Sequence, residues 1–306
     1  MKPSLSIVIP VYNSEQSLPL LVKRLESVLP KLSERFEVIL VNDGSKDQSW
    51  QIIRQLAENS VWIKGINLMR NYGQHNALLC GIREAKHEII ITMDDDLQNP
   101  PEEIPKLLTK LAEGHGVVYG TPKIKQHGLW RDIASKITKL ALYKVLDEET
   151  AQHSSAFRAF HTKIREAFSE YQSPFVSIDV LLTWGTTRFA FVSVNHDPRQ
   201  AGLSNYTFYK LVTHAINITT GFSTWPLQIA SLVGFVFTLF GIGVLVYVLG
   251  RYLIQGGNVS GFPFLASIIA LFSGAQLFAL GIIGEYMARM HFRLNQRPIY
   301  AIKERI

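Results

Sequence analysis

The sequence predicts an α/β protein: a mainly parallel β-sheet domain, then interfacial amphipathic helices, then a two-helix transmembrane hairpin. Three observations carry this. Short apolar runs alternate with segments of helical period, and the runs end in polar residues. Two basic amphipathic stretches follow. Finally, neither Pro226–Gly250 nor Tyr252–Gly284 contains a charged residue, so Arg251 stands alone between two long apolar stretches.

Leu5–Asn13 (LSIVIPVYN) reads as a buried strand running into a Pro/Asn break, and Ser17–Leu29 places Leu18, Leu21, Val22, Leu25 and Leu29 at helical spacing. Phe36–Ser45 is a second strand ending in a turn. Ser49–Asn59 is a helix, Val61–Leu68 a strand, Gln74–Glu84 a helix and His87–Asp96 a fourth strand ending in three aspartates; Gly116–Thr121 is a fifth apolar run. Apolar strands alternating with helices predict a parallel sheet covered on both faces. In such sheets ligands sit beyond the carboxyl ends of the strands, so Tyr12–Glu15, Asn42–Ser45 and Asp94–Gln98 are expected to meet at one crevice. No strand is followed by GxGxxG or GxxxxGK[ST], which speaks against a dinucleotide fold or a P-loop.

In Gly128–Leu146, Trp130, Ile133, Ile137 and Leu140 share one face, opposite Asp132, Lys136 and Lys139. In Asn205–Asn217, Phe208, Leu211, Val212, Ala215 and Ile216 lie opposite Lys210 and His214. Such stretches beside membrane spans read as helices lying on the bilayer. About 25 helical residues reach roughly 37 Å, more than the ~30 Å hydrocarbon core, so spans are expected at about 227–250 and 262–284, joined by a short polar turn. Residues 1–204 then form the sheet domain, 205–225 an interfacial segment and 226–306 a membrane domain with a basic tail. Arg289, Arg293, Arg297, Lys303 and Arg305 against Glu285 and Glu304 place that tail in the cytoplasm. No export signal opens the sequence. The expected location is the inner (plasma) membrane, with both ends and the sheet domain cytoplasmic.

The 306 residues carry 31 basic and 25 acidic side chains, a net charge of +6, with 47% hydrophobic and 18% charged residues and a mean hydropathy of +0.11. This excludes a disordered chain and departs from an ordinary soluble enzyme, which carries about a quarter charged residues. The single cysteine, Cys80, excludes an intrachain disulfide and a cysteine-built metal cluster.

Asp94-Asp95-Asp96-Leu97-Gln98 is the most informative segment. Hard divalent cations take oxygen ligands and bridge phosphates while held by one or two carboxylates. Asp94 and Asp96, at alternate positions, can share the crevice, Gln98 adds a neutral oxygen, and Asp95 is expected to point away from it. A solvated acidic turn is the plain alternative. Asp43 could hold a base or ribose, with Gly44 allowing the turn, or could simply cap the next helix. Pro10, Tyr12 and Asn13 offer an aromatic wall and an amide beside it.

The segments VIPVYN, VNDGS, RNYGQ and MDDDLQNPPE, in this order and spacing, resemble the family-2 inverting glycosyltransferases with a GT-A-type (Rossmann-like) fold. With two C-terminal spans and SNYTFYKL, nearly the whole chain is similar to polyprenyl-phosphate glycosyltransferases, nearer to bactoprenol glucosyltransferases than to dolichol-phosphate mannose synthases. The resemblance implies that Pro10, Tyr12 and Asp43 line the nucleotide pocket, with Asn13, Glu15, Arg70, Gly73, Asp94 and Asp95 joining the contacts to the nucleotide sugar. It implies Mg²⁺ or Mn²⁺ held by Asp94, Asp96 and Gln98. Arg131, Arg158, Arg199, Ser204 and Lys210 are candidates for the acceptor phosphate, and Asp94, Asp96, Arg131 and Arg158 for the catalytic set. Three departures stand out. Ser14 replaces the usual Glu after Tyr-Asn, with Glu15 as the candidate substitute; Asp95 replaces a common Ala; Ala156 stands where relatives often carry an acid, so no catalytic base is assigned there.

The expected reaction moves one sugar, glucose from UDP-glucose in the first instance, to polyprenyl (undecaprenyl) phosphate with inversion. GDP-mannose or a UDP-aminosugar remains open as donor. Expected partners are the nucleotide-sugar donor, the polyprenyl-phosphate lipid and the bilayer, with no nucleic acid; a homo-oligomer is left open. A processive polysaccharide synthase fits less well, since no QxxRW precedes the spans. A non-catalytic membrane scaffold leaves the DxD pair unexplained.

Overall fold

The computed structural model describes residues 2–122, 150, 153–173, 175–197, 220–221, 224–255, 261–295 and 297–306. The five apolar runs form β1 (Leu5–Val11), β2 (Phe36–Asn42), β3 (Ile63–Leu68), β4 (Ile89–Thr92) and β5 (Val117–Pro122). Between them lie α1 (Leu18–Leu32), α2 (Ser49–Asn59), α3 (Gln74–Glu84) and α4 (Ile104–Ala112). All seven residues of β1 are buried, as a strand covered on both faces requires. One face of the sheet is closed by Leu18, Leu21 and Leu25 of α1, Ile53 of α2 and Ile104 and Leu107 of α4. The other is closed by Ala77–Cys80 and Ile82 of α3 and by Ile178, Leu181 and Leu182 of α5 (Ile178–Gly185).

β1 pairs in parallel with β2 on one side and β4 on the other, and β2 pairs in parallel with β3. β6 (Arg158–His161) inserts antiparallel between β4 and β5, and β7 (Phe189–Val194) runs parallel to β5. An eighth strand, β8 (Ile302–Arg305), pairs antiparallel with β3. The sheet order is β7-β5-β6-β4-β1-β2-β3-β8. The chain reverses its winding at β1, and the crevice opens at the carboxyl ends there.

α6 (Trp225–Gln255) and α7 (Phe262–Leu294) form the C-terminal pair. Segments Trp225–Arg251 and Leu271–Phe292 have mean hydropathies of 2.5 and 1.3, and the most apolar 18-residue stretch of each has no residue buried by protein. Phe272 packs against Phe237 and Phe240 at 5.7 and 6.3 Å. Gly241 permits this approach, since a Cβ there would lie 2.9 Å from the Phe272 ring. The first helix contains the stretch 227–250. The second does not stop at Gly284, because Glu285 and Arg289 pair at 2.7 Å across one helical turn and carry the helix onward to Leu294. Arg289 then lies over Phe175 at 4.4 Å, joining the helix to the sheet domain.

The tail has structure of its own. Ile302–Arg305, within the basic tail, completes the sheet as β8. Glu304 accepts from Trp50 Nε1 at 3.2 Å and pairs with Arg54 at 2.9 Å, and Arg305 pairs with Glu84 at 3.0 Å. The amphipathic stretches 128–146 and 205–217, the linker 256–260 and the domain boundary at 204–205 lie outside the described residues.

Candidate active site

Strands β1, β2 and β4 deliver their polar ends to one crevice. Asp43, at the end of β2, is 2% exposed, and its two carboxylate oxygens accept from the backbone amides of Tyr72 (2.7 Å) and Gly73 (2.8 Å). Burial pushes its carboxyl up and the two amides pull it down, leaving it raised. Gly44 (φ +65°) makes the turn, and a Cβ there would sit 2.5 Å from the Arg70 carbonyl carbon and the Asn71 nitrogen. The Asn42–Ser45 turn and the Arg70–Gly73 segment are therefore one packed unit. Arg70 is exposed and stacks over Tyr72 at 4.6 Å.

The end of β1 leans on the same turn. Pro10 is buried within the strand, opposite Val41, while Tyr12 is 37% exposed. Asn13, in the left-handed region at φ +54°, donates its amide to Ser45 Oγ (3.0 Å) and accepts from the Lys46 amide (2.8 Å). Glu15 accepts from the Gln48 amide (3.0 Å) and donates its own amide to Asp47 (3.1 Å). Glu15 thus braces the start of α2.

β4 ends in the three aspartates. Asp94 accepts from Gln74 Nε2 at 2.6 Å. Burial, then the charges of Asp96 and Asp95, push its carboxyl up to about 7 against the opposing pull of Arg158 and Gln74. Asp95 is pushed up to about 6, again by burial first, with Ser14 and the Tyr12 amide opposing. Asp96 accepts from the Gln98 amide at 3.1 Å, and Leu97, in the left-handed region at φ +63° and 2% exposed, anchors the loop. The Gln98 carbonyl accepts from the Asp197 amide at 2.9 Å, tying the loop to the chain after β7. Among the described residues no group of three or more His, Cys, Asp or Glu side chains is placed to hold a metal ion by itself. A partial oxygen set beside clustered, mutually repelling carboxylates fits a divalent cation whose coordination a phosphate ligand completes.

Two expectations are revised. Asp95 does not turn out of the crevice: its Oδ2 accepts from the Tyr12 amide (3.2 Å) and from Ser14 Oγ. Ser14 and Asp95, two separate departures from the resembled pattern, are bonded to each other. Arg158 is not an open cation for an acceptor phosphate. It is 2% exposed, its Nη1 donates to Asp179 Oδ1 at 2.7 Å, and it lies over Tyr119 at 5.7 Å, whose hydroxyl donates to the same oxygen at 3.0 Å. β6 places it there, because Arg158 stands opposite Thr92, two residues before Asp94.

Asp179, Tyr119 and Gln74 were not singled out from the sequence. For Asp179 a signal existed: it is a lone acid in the apolar run Phe175–Leu182. Ala156 offers its carbonyl to Thr92 Oγ1 at 2.7 Å. Arg131, Arg199, Ser204 and Lys210 lie outside the described residues.

Residues 6–171 match the family described as Glycosyl transferase family 2. The undecaprenyl-phosphate 4-deoxy-4-formamido-L-arabinose transferase of Photorhabdus laumondii is 36% identical over 302 residues, covering 98% of this chain and 93% of that protein. Its counterpart in Pectobacterium carotovorum is 33% identical over 306 residues, covering 99% and 94%. Among solved structures, glucosyl-3-phosphoglycerate synthase from Mycobacterium tuberculosis superposes with a TM-score of 0.53 at 17% identity, covering 71% of this chain and 78% of that one. The same enzyme has been solved with Mn²⁺, UDP-glucose and phosphoglyceric acid, with a TM-score of 0.52. Mannosyl-3-phosphoglycerate synthase from Rubrobacter xylanophilus gives 0.53 at 14% identity, covering 71% of each chain. At these identities the structures share the fold with this chain.

Proposed function

Because the chain belongs to glycosyl transferase family 2, and is thus a glycosyltransferase, we propose that it moves one sugar from a nucleotide donor to a polyprenyl phosphate at the membrane surface. The observation that carries this reading is a crevice of clustered acids and a glycine turn at the carboxyl ends of β1, β2 and β4, in one chain with two membrane-length helices. Relatives matched over nearly their whole length are named for undecaprenyl phosphate as acceptor, which supports the lipid. They are named for 4-deoxy-4-formamido-L-arabinose rather than glucose, so the first donor to test is a nucleotide-activated 4-amino-4-deoxy pentose of that class, ahead of UDP-glucose.

In this reading the β2 side, with Tyr12, Asp43 and the Arg70–Gly73 segment, takes the nucleoside, and Asp94, Asp96 and Gln98 would hold a divalent cation. Such a cation would supply positive charge to the departing nucleoside diphosphate. The acceptor needs little activation, since a phosphate monoester with a second pKa of about 6 is largely dianionic at neutral pH. Its oxygen attacks the anomeric carbon from the face opposite the leaving group, the bond to the diphosphate breaks, and the configuration inverts. Arg158, fixed by Asp179, lends its charge to Asp94 from below. Arg131, Arg199, Ser204 and Lys210 remain the candidates for the acceptor phosphate. The return of the chain after α7 to pair as β8 supports a hairpin that crosses the bilayer twice, with both ends and the sheet on one side; the basic residues after the second span favour the cytoplasm for that side.

The test is to incubate the purified, detergent-solubilised protein with undecaprenyl phosphate and a panel of nucleotide sugars, and to follow donor consumption and lipid product. Transfer of one sugar per lipid phosphate from a pentose donor of the formamido or amino class supports the proposal. Transfer only from UDP-glucose restores the glucose reading, and polymer formation would replace both with a synthase.

A further inference from the structure

The loop after β1 is held very differently on its two sides. Toward the β2–α2 turn it is tied at five points: the amides of Asn13, Ser14 and Glu15 donate to Ser45 Oγ, Ser49 Oγ and Asp47, while Asn13 Oδ1 and Glu15 Oε2 accept from the amides of Lys46 and Gln48. Toward β4 the ladder gives out early. β1 and β4 pair only from Leu5↔Ile89 to Val8↔Thr92, and a last backbone bond runs from Met93 N to Val8 O at 3.2 Å. Beyond that point, among the described residues, the hydrogen bonds that join the two loops end on one atom, Asp95 Oδ2, which accepts from the Tyr12 amide and from Ser14 Oγ.

We propose that Asp95 is a positioning residue: its carboxylate latches the Tyr12–Ser14 loop to the Asp94–Gln98 loop and so sets the width of the crevice that the nucleotide donor bridges. The inference rests on the donor reading above and deepens it. A ligand that touches Tyr12 and Asp43 at one end and Asp94 and Asp96 at the other must match the distance between two separately anchored loops. With the latch closed, that distance is fixed before the donor arrives. Without it, the donor must draw the loops together and loses affinity by the cost of ordering them. The role is served by an acceptor oxygen on a short side chain, which separates it from metal ligation, where the negative charge itself counts.

The full-length protein in detergent carries the test, with Asp95→Ala, Asp95→Asn and Ser14→Ala compared with the wild type. Steady-state kinetics give donor KM and kcat, and hydrogen–deuterium exchange follows the peptide containing Tyr12–Glu15. Losing two hydrogen bonds to a charged group, partly replaced by water, should raise donor KM about tenfold or more in Asp95→Ala, with kcat changed much less. Ser14→Ala, losing one bond, should fall between. Asp95→Asn keeps an acceptor oxygen, so its KM should rise only about threefold and its dependence on Mg²⁺ concentration should match the wild type. Exchange of the Tyr12 region should be fast in Asp95→Ala and near the wild-type rate in Asp95→Asn. An Asp95→Asn enzyme as damaged as Asp95→Ala and needing more Mg²⁺ makes Asp95 a ligand and overturns the latch. So does an Asp95→Ala enzyme with unchanged KM and exchange. If the wild type turns over no nucleotide sugar, the functional reading fails, and the exchange comparison alone still accepts or rejects the latch.

Discussion

Asp43 and Asp94 end neighbouring parts of one sheet, yet the protein treats them in opposite ways. Asp43 is nearly inaccessible and receives two backbone amides, those of Tyr72 and Gly73, from the segment packed against the Gly44 turn. Asp94 receives one side-chain amide, stands beside two further acids, and is pushed up to about 7. The first carboxylate is satisfied by the fold. The second is left short of positive charge, with the buried Arg158 as partial compensation. The difference teaches that the Asp43 side of the crevice, proposed above for the nucleoside, is finished by folding, while the acidic side is left partly uncompensated, as the proposed cation and diphosphate would require.

The largest effect expected from breaking this contrast lies beneath the acidic side. Arg158→Ala leaves Asp179 in a nearly closed site without its partner, and removing one member of a buried pair costs about 3–5 kcal/mol, read as a fall in unfolding midpoint. Arg158→Met with Asp179→Leu should recover much of that loss, because an apolar pair needs no compensation.

Next comes Asp96→Asn, which should cut transfer about 10²- to 10³-fold, the range for removing one electrostatic contributor to a transition state, while the fold survives. Wild-type activity in that variant, or wild-type enzyme that works fully in EDTA, contradicts the cation reading. The matching change on the finished side, Asp43→Asn, should behave differently. It weakens two charge-assisted bonds of about 1.5–3 kcal/mol each at most, so it should lower stability as well as donor affinity. A stable Asp43→Asn protein with normal donor affinity would remove the contrast.

Much of this was legible because strands β1 to β5 announce themselves as apolar runs, and those of β1, β2 and β4 lead into Asn or Asp. The three loops of the crevice follow from a parallel sheet without further information. β8 was not legible. Ile302–Arg305 is four residues long, holds one apolar residue followed by three charged ones, and reaches its partner β3 only after two membrane-length helices. The Arg158–Asp179 pair was hidden for a related reason: β6 enters antiparallel, which turns an apparent surface cation into the floor of the site. The direction of Asp95 was misjudged because alternation along a strand fixes where side chains point only up to the strand's end, and β4 ends at Thr92.

The smallest expected effect sits at the opposite end of β2, where Glu37 extends the satisfied class. Burial pushes its carboxyl up, but Lys64, Ser6 Oγ and the Lys86 amide together hold it below its ordinary value. A depressed folded-state value means that its contribution to stability is present above the unfolded pKa and is lost as the pH falls through the folded one. Acid unfolding of Glu37→Gln should therefore begin from a lower plateau and show a shallower dependence below about pH 4.5, the unfolded carboxyl range. An unchanged acid limb would remove Glu37 from the satisfied class.

The most direct test of the divided crevice is calorimetric titration of the wild-type protein with uridine and with UDP, each with Mg²⁺ and with EDTA. Uridine, which reaches only the finished side, should bind equally in both. UDP should bind at least tenfold more tightly with Mg²⁺, a difference of about 1.4 kcal/mol, and Asp96→Asn should erase that gain while leaving uridine unaffected. Equal UDP affinity with and without the cation would contradict the account.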